Sequence, residues 1–207
     1  MELRIDKLER QDKYKLLIGC IVPRPIAWVT SLAENGVLNA APFSYFNVAS
    51  IEPMMITVAI MRKPDGQPKD TARNIAATKE FVVNMVDIYN VDVMNQTSAD
   101  YPPDVSEVET LGLQTIPSSL VCVPRLQASR IHFECRLQQI VELGKPTTSD
   151  LIIGEVVHVH VADELYERGR IDATAFAPVS RLAGQTYATL GEQFDRPRPV
   201  YIPESTS

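Results

Sequence analysis

The chain has 207 residues, 45% of them apolar and 22% charged. That composition excludes wholesale disorder and allows one domain of ordinary size that needs no disulfide or zinc to complete its core. Twenty basic residues against 26 acidic ones leave a formal charge of −6, which excludes the general attraction for phosphate backbones behind non-specific nucleic-acid binding. No apolar run approaches the roughly 18 residues needed to span a bilayer. The N-terminus also lacks the apolar core of a signal peptide. Cys20, Cys122 and Cys135 are odd in number and far apart, so they indicate neither a disulfide framework nor a zinc knuckle. The expectation is three reduced, mostly buried thiols in a cytoplasmic protein that binds neither nucleic acid nor membrane.

In chain order, residues 5–18 read as a short helix of loose apolar period. Pro23 and Pro25 then exclude helix and lead into a strand over 26–31. Asn35-Gly36 marks a tight hairpin turn. A second strand runs over 37–46, interrupted by Pro42, and a third over 54–61. Pro64, Gly66 and Pro68 form a loop, after which 70–78 reads as a short helix with Asp70 as N-cap. A strand follows over 81–86 and a helical stretch over 88–98. Residues 99–128, with Pro102, Pro103, Pro117 and Pro124, show little periodicity and read as an excursion or lid rather than core. The clearest alternation lies in 130–143. Ile131, Phe133, Cys135, Leu137, Val141 and Leu143 share one side, His132, Glu134, Arg136, Gln138 and Glu142 the other, and Ile140 is the exception. Residues 151–161 are the expected antiparallel partner, with 146–149 as the turn. Many strands, short turns and two or three short helices predict a closed or partly closed β-barrel, not a doubly wound parallel sheet.

The usual catalytic signatures are absent. The sequence holds no G-x-S-x-G elbow, P-loop, H-E-x-x-H or G-x-G-x-x-G, so no catalytic side chain and no metal ligand set is assigned. His158 and His160 fall on one strand face. A solvent or interface face explains them better than a metal, because no Cys or carboxylate cluster completes a coordination shell.

Two polar clusters stand at strand edges. Thr30-Ser31 closes the first strand, and Lys69-Asp70-Thr71 with Asn74 opens the helix over 70–78. Hydroxyls, one or two cations and a helix N-terminus are what a phosphate monoester needs. Each cluster alone also fits a turn or a cap. The run 39–47 adds small residues followed by Pro42, a backbone a flat ligand can approach, with Phe43 and Phe46 as walls. A proline-bulged strand with two core aromatics fits that run slightly better.

Taken together, R-P-I-A-W-V-T-S (24–31), N-A-A-P-F-S-Y-F (39–46), K-D-T-x-x-N (69–74), F-V-V-N (81–84), G-E-V-V-H-V-H-V (154–161) and R-L-A-G-x-x-Y-A (181–188) resemble the flavin reductase-like family. The members most similar are those like nitrilotriacetate monooxygenase component B. The resemblance covers about residues 11–191. It implies a single domain over 1–207 with N- and C-terminal extensions, of the all-β/α+β class. The fold would be a split antiparallel β-barrel (the FMN-binding split barrel) with a few short peripheral helices.

It further implies a homodimer binding FMN, with FAD as the alternative, near the subunit interface. By position, Thr30 and Ser31 would contact the phosphate or ribityl chain. Asn39, Ala40, Ala41, Pro42, Phe43 and Ser44 would border the isoalloxazine, and Lys69, Thr71 and Asn74 would hold the phosphate. Arg181, Leu182, Gly184 and Tyr187 would lie near the ring or nicotinamide pocket. Ala183 stands where the family often has glycine, which would matter if that position needed positive φ.

The implied activity is NAD(P)H-dependent flavin reduction, in which the flavin carries the chemistry, with a monooxygenase as the implied partner for the reduced product. A non-catalytic flavin-binding redox or sensor protein is the alternative, separated by whether residues 99–128 close the pocket. An oxidase of the pyridoxamine-phosphate type would need a further cation cluster for its substrate, and none is left over.

Overall fold

Seven strands joined mostly by short turns build the main sheet of the computed structural model, which describes residues 1–201. They are β1 (Ala27–Leu32), β2 (Leu38–Phe43), β3 (Phe46–Ile51), β4 (Met54–Met61), β5 (Glu80–Met85), β6 (Ile131–Leu143) and β7 (Ser149–Val161). Every pairing is antiparallel, in the order β2-β1-β5-β6-β7-β4-β3. The two edge strands, β2 and β3, are consecutive in sequence and joined only by Ser44 and Tyr45. The Tyr45 carbonyl accepts from Ala59 N at 2.8 Å, so the sheet must curl until its edges meet. The result is the expected split barrel with a few short helices.

The helices are α1 (Arg10–Cys20), α2 (Asp70–Thr78), α3 (Val91–Gln96) and α4 (Glu107–Thr110), with one turn at Ala173–Phe176. Helix α1 starts later than the sequence pattern suggests and buries only Ile18. None of the described helices is long and apolar enough to cross a membrane.

Inside the barrel, Ala27 and Val29 of β1 meet Ile56, Val58 and Ile60 of β4, Phe81 and Val83 of β5, Cys135, and Ile152, with Ala72 and Ile75 of α2 closing one side. Cys135 is buried, but Cys20 and Cys122 are exposed free thiols, contrary to the expectation of burial. Cys20 ends α1 and Cys122 lies in the loop between two short strands, Thr115–Ile116 and Arg125–Leu126. Pro42 is tolerated inside β2 because β2 is an edge strand, where a missing N–H costs no ladder bond.

Ile140 breaks the alternation of β6 for a geometric reason. A register shift between Leu137 and Gln139 inserts one residue, and everything beyond it changes side. Ile140 therefore packs against the barrel core, while Leu143, expected on the buried side, is exposed.

The polar side of β6 does not face water. The segment after α4, with its short hairpin of Thr115–Ile116 and Arg125–Leu126, lies across the outer faces of β1, β5 and β6. It is a second core rather than a lid, since Val121, Val123 and Leu126 are buried in it, with Val108 of α4 alongside. Its backbone is held by side chains of the sheet. Glu134 accepts from Ser119 N at 2.7 Å and Leu120 N at 2.6 Å. Glu80 accepts from Cys122 N at 2.7 Å, and Asn84 from Leu126 N at 2.8 Å. Thr30 donates to Pro124 O at 2.9 Å and Arg136 to Leu120 O at 3.0 Å. His132 Nε2 lies 2.9 Å from Leu126 O, and His160 Nε2 lies 2.5 Å from Glu134 Oε1. His158 packs its ring 4.5 Å from that of His160. Among the described residues no group of His, Cys, Asp and Glu is arranged to hold a metal.

Burial alone would push the Glu134 carboxyl up, but the two backbone N–H groups and His160 outweigh it and hold the group down at about 2. Burial pushes His132 down to about 4, so it is neutral in the folded protein.

Two outcomes follow. Gly154 faces Phe81 so closely that a Cβ there would overlap the ring. Gly154→Ala is expected to cost about 1–3 kcal/mol of overpacking, read as a lower urea midpoint at unchanged slope.

The second outcome concerns acid. The folded pKa of His132 lies below that of the unfolded chain, so its contribution is intact above the ordinary histidine value and is lost as pH falls toward about 4. Glu134 adds a further loss from the ordinary carboxylate range down to about 2. Unfolding free energy should fall by up to about 3 kcal/mol from the His132 component. In His132→Gln the curve should be flatter between neutral and about pH 4. An identical curve would refute the assignment.

Candidate functional site

A cleft of about 1340 Å³ opens where the barrel edges meet. One wall is the cleft-facing side of β2 and the corner after it, from Asn39 through Ala41, Pro42 and Phe43 to Ser44 and Tyr45. At one end stands the N-terminus of α2, with Lys69, Asp70 and Thr71. At the other stand Ile18 of α1, Arg24, and the hairpin carrying Arg181, Gly184 and Tyr187. Thr97 to Tyr101 and Glu107 line the remaining side.

Helix α2 begins one residue differently from the expected cap. Lys69, not Asp70, is the N-cap, and no side chain caps the helix. Asp70 instead pairs with Arg73 and, at 3.4 Å, with Lys63. Its carboxylate is thereby kept off the first-turn N–H groups, and the first main-chain donation in the helix comes from Arg73 N to Lys69 O at 3.0 Å. The helix thus presents unclaimed donors and its partial positive charge to the cleft beside Lys69. No carboxylate among the described residues pairs with Lys69, since Asp70 is taken by its other neighbours.

Behind that end lies a buried polar network. Thr71 Oγ1 donates to Asn39 Oδ1 at 2.7 Å. Asn39 Nδ2 donates to Glu107 Oε1 at 2.8 Å, and Ala40 N to Glu107 Oε2 at 3.0 Å. Asn74 Nδ2 donates to Ser31 Oγ at 3.3 Å, and Ser31 Oγ lies 3.4 Å from Asn39 Oδ1. Burial pushes the Glu107 carboxyl up, against the three hydrogen bonds that pull it down.

At the opposite end, Arg181 stacks on the Tyr187 ring at 4.5 Å and also bonds Tyr187 Oη and Gly184 O. The Tyr187 hydroxyl donates to Asn95 Oδ1 at 2.8 Å. The left-handed residue of this turn is Gly184, at φ 59°, so Ala183 needs no glycine geometry.

Of the residues singled out from sequence, the cleft brings together Asn39, Ala41, Pro42, Phe43, Ser44, Lys69, Thr71, Arg181, Gly184 and Tyr187. Ser31, Ala40 and Asn74 lie buried behind it. Leu182 sits behind the wall and offers its carbonyl to Arg24. Thr30 does not reach the cleft. Adjacent strand residues point to opposite faces, so Ser31 turns toward α2 while Thr30, fully buried, turns toward Pro124. Thr30 and Ser31 cannot serve one ligand together.

Sequence reasoning missed Glu107, hidden in an aperiodic segment. It also missed Arg24 as a site residue, although that residue stands in the first recognised motif.

A sequence model of the family described as Flavin reductase like domain matches residues 18–175. The crystal structure of nitrilotriacetate monooxygenase component B from Bacillus cereus is 45% identical, covers 94% of this chain and 98% of its own, and superposes with a TM-score of 0.92. That of the 2-nitrobenzoate 2-nitroreductase of Pseudomonas fluorescens is 32% identical over 100% of both chains, with a TM-score of 0.88. A split barrel domain protein of Shewanella frigidimarina, 24% identical over 96% of this chain and 100% of that one, shares the fold at a TM-score of 0.83.

Proposed function

The chain belongs to the flavin reductase like family, and from that membership we propose that it is a single FMN-binding domain that reduces the flavin with NAD(P)H. The cleft carries this reading. Its volume of about 1340 Å³ exceeds the roughly 300–1,000 Å³ typical of a pocket for one small ligand. A second molecule has room beside the first, as a reductase requires and a closed flavin store does not. Residues 97–101 border the cleft without sealing it.

The donor set fits a phosphorylated flavin. Lys69 and the free N–H groups of α2 would take the phosphate. The backbone and small side chains from Ala41 to Ser44 would border the ring, and Arg181 with Tyr187 would face the nicotinamide or the ring edge. Ser31, Asn74 and Glu107 would hold Asn39 and Thr71 in place from behind. When bound, the flavin supplies the two-electron chemistry, so the chain needs only to bind, orient and exclude water. That agrees with the absence of a triad or dyad motif.

A homodimer is part of the proposal. It is supported by edge strand β3, where Val48 and Ile51 are 73% and 88% exposed, a surface a monomer rarely leaves uncovered. Delivery of reduced flavin to a monooxygenase is supported by the similarity to a monooxygenase component B.

Lys69→Ala should weaken FMN roughly tenfold or more, the worth of a charged hydrogen bond, and leave riboflavin nearly unchanged. Equal losses, read by fluorescence titration, would refute the phosphate assignment. Mixed anaerobically with NADH or NADPH, the FMN-loaded protein should lose its visible flavin absorbance. Bleaching by dithionite but by neither nicotinamide would establish the non-catalytic alternative instead.

A further inference from the structure

Two partly buried arginines are matched by carboxylates, while two others, Arg125 and Arg181, meet only carbonyl and hydroxyl oxygens. Arg62 Nη2 meets Asp150 at 2.6 Å and Arg130 Nε meets Asp87 at 2.9 Å. Arg24 is not matched. It is only 6% exposed and lines the cleft, yet every acceptor it bonds is uncharged. Nη1 donates to Ile18 O at 2.8 Å and Ile21 O at 2.6 Å, Nη2 to Leu182 O at 2.8 Å, and Nε to Ser44 Oγ at 3.4 Å. A guanidinium does not give up its proton in a protein. A whole positive charge is therefore held in the wall of the cleft by carbonyl dipoles, one hydroxyl and the face of Tyr45 at 6.0 Å, with no carboxylate bonded to it.

Those acceptors belong to three separate segments: the end of α1, the hairpin carrying Arg181, and the corner after β2. Main-chain bonds between Arg24 and Arg181, at 3.1 and 2.8 Å, fix the same junction. The position along the cleft is also defined. Asn39 is bonded to Thr71 at the α2 end, and Phe43 lies four residues along β2, about 13 Å at roughly 3.3 Å per residue. Arg24 reaches Ser44, one residue beyond. It is thus at the end of the cleft away from Lys69.

We propose that Arg24 is the positioning residue of this far end, assembling its three walls and biasing the cleft toward the more negative, reduced form of the bound flavin. This rests on the FMN-binding reading above, in which the phosphate lies by Lys69 and the ring toward Arg24. Two electrons entering the ring bring two protons if the reduced flavin is neutral and one if it is the anion. Arg24 and, more exposed beside it, Arg181 are the cations of this end, faced by the phenols of Tyr14, Tyr45 and Tyr187 and bonded to no carboxylate. A cation held in a poorly hydrated wall favours the one-proton outcome.

The test is a redox titration of FMN-loaded protein against pH, compared with free FMN. The slope of potential against pH halves where the reduced flavin loses its second proton. In the wild type this break should lie lower than for free FMN by about one pH unit or more, a tenfold change in proton affinity. Arg24→Gln should move the break back toward free FMN. Arg24→Lys should keep it low while raising the FMN dissociation constant severalfold, because one ammonium cannot span all the carbonyls. A wild-type break at the free-FMN position, or one unmoved in Arg24→Gln, would overturn the proposal. Should Arg24→Gln not fold, the wild-type comparison with free FMN decides alone. Wild-type protein that binds no FMN would instead sink the functional reading.

Discussion

The site depends on one buried amide. Asn39 is almost wholly out of solvent, and its side chain joins elements from distant parts of the chain. Its oxygen receives Thr71 of α2 and lies beside Ser31 of β1, while its nitrogen donates to Glu107 of α4. An amide has one carbonyl and two N–H groups, so each end can be satisfied only by neighbours of the right kind. Leaving any of them unpaired would cost about 1–3 kcal/mol. That penalty fixes the N-terminus of α2 against the start of β2, and with it one end of the cleft. A hydrophobic contact could hold the same elements together but would not set their rotation.

The excursion after α3 is held by the same logic at larger scale. It has little regular structure, so its backbone N–H and C=O groups must find partners outside itself. The outer faces of β1, β5 and β6 supply them, through Thr30, Glu80, Asn84, His132, Glu134 and Arg136. Side chains on alternate positions of neighbouring strands thus act as a row of hooks, and apolar residues such as Val123 and Leu126 fill the space between them. The arrangement links the excursion to the cleft, since Glu107 and Thr97 to Tyr101 stand within the same stretch of chain. Trp28 adds a further tie, donating from Nε1 to Thr97 Oγ1 at 3.0 Å.

Apolar runs, and in β6 a period of two, made most strands legible, and turn chemistry made β1–β2 and β6–β7 legible as hairpins. Strand β3 was missed, because the run read as one strand over 37–46 breaks at Ser44 and Tyr45 and its second part, Phe46–Ile51, turns mostly outward. The bulge that moves Ile140 was visible only as an exception, because an inserted residue leaves no signature of its own. The polar side of β6 looked like a solvent face, since sequence shows which residues alternate but not what covers them. Thr30 and Ser31 show the same limit in reverse. Their composition suited a phosphate, but strand geometry sends them to opposite faces. Glu107 could not have been found by pattern, because its role comes from long-range contact with Asn39. The residues that reach the cleft from 39–44 and 69–71 were legible because a local cause, a bent edge strand or a helix start, places them there.

An acidic chain can still present an attractive surface to an anion, because what matters is which charges are matched. The formal balance is −6, but screening confines an exposed charge to about 10 Å at moderate salt. Around the cleft the carboxylates are largely occupied. Asp70 is held by Arg73 and Lys63, Glu107 by an amide and a backbone N–H, and Asp65 by the backbone N–H of Gln67, leaving Asp100 on the rim. Lys69, Arg24 and Arg181 have only uncharged oxygens or no bonded partner among the described residues. They stand at the two ends of β2 rather than in one cluster. Charge divided in this way does little for a compact anion such as free phosphate, which can reach only one end. It favours an elongated ligand with a fixed negative group at one tip and a group that becomes negative at the other.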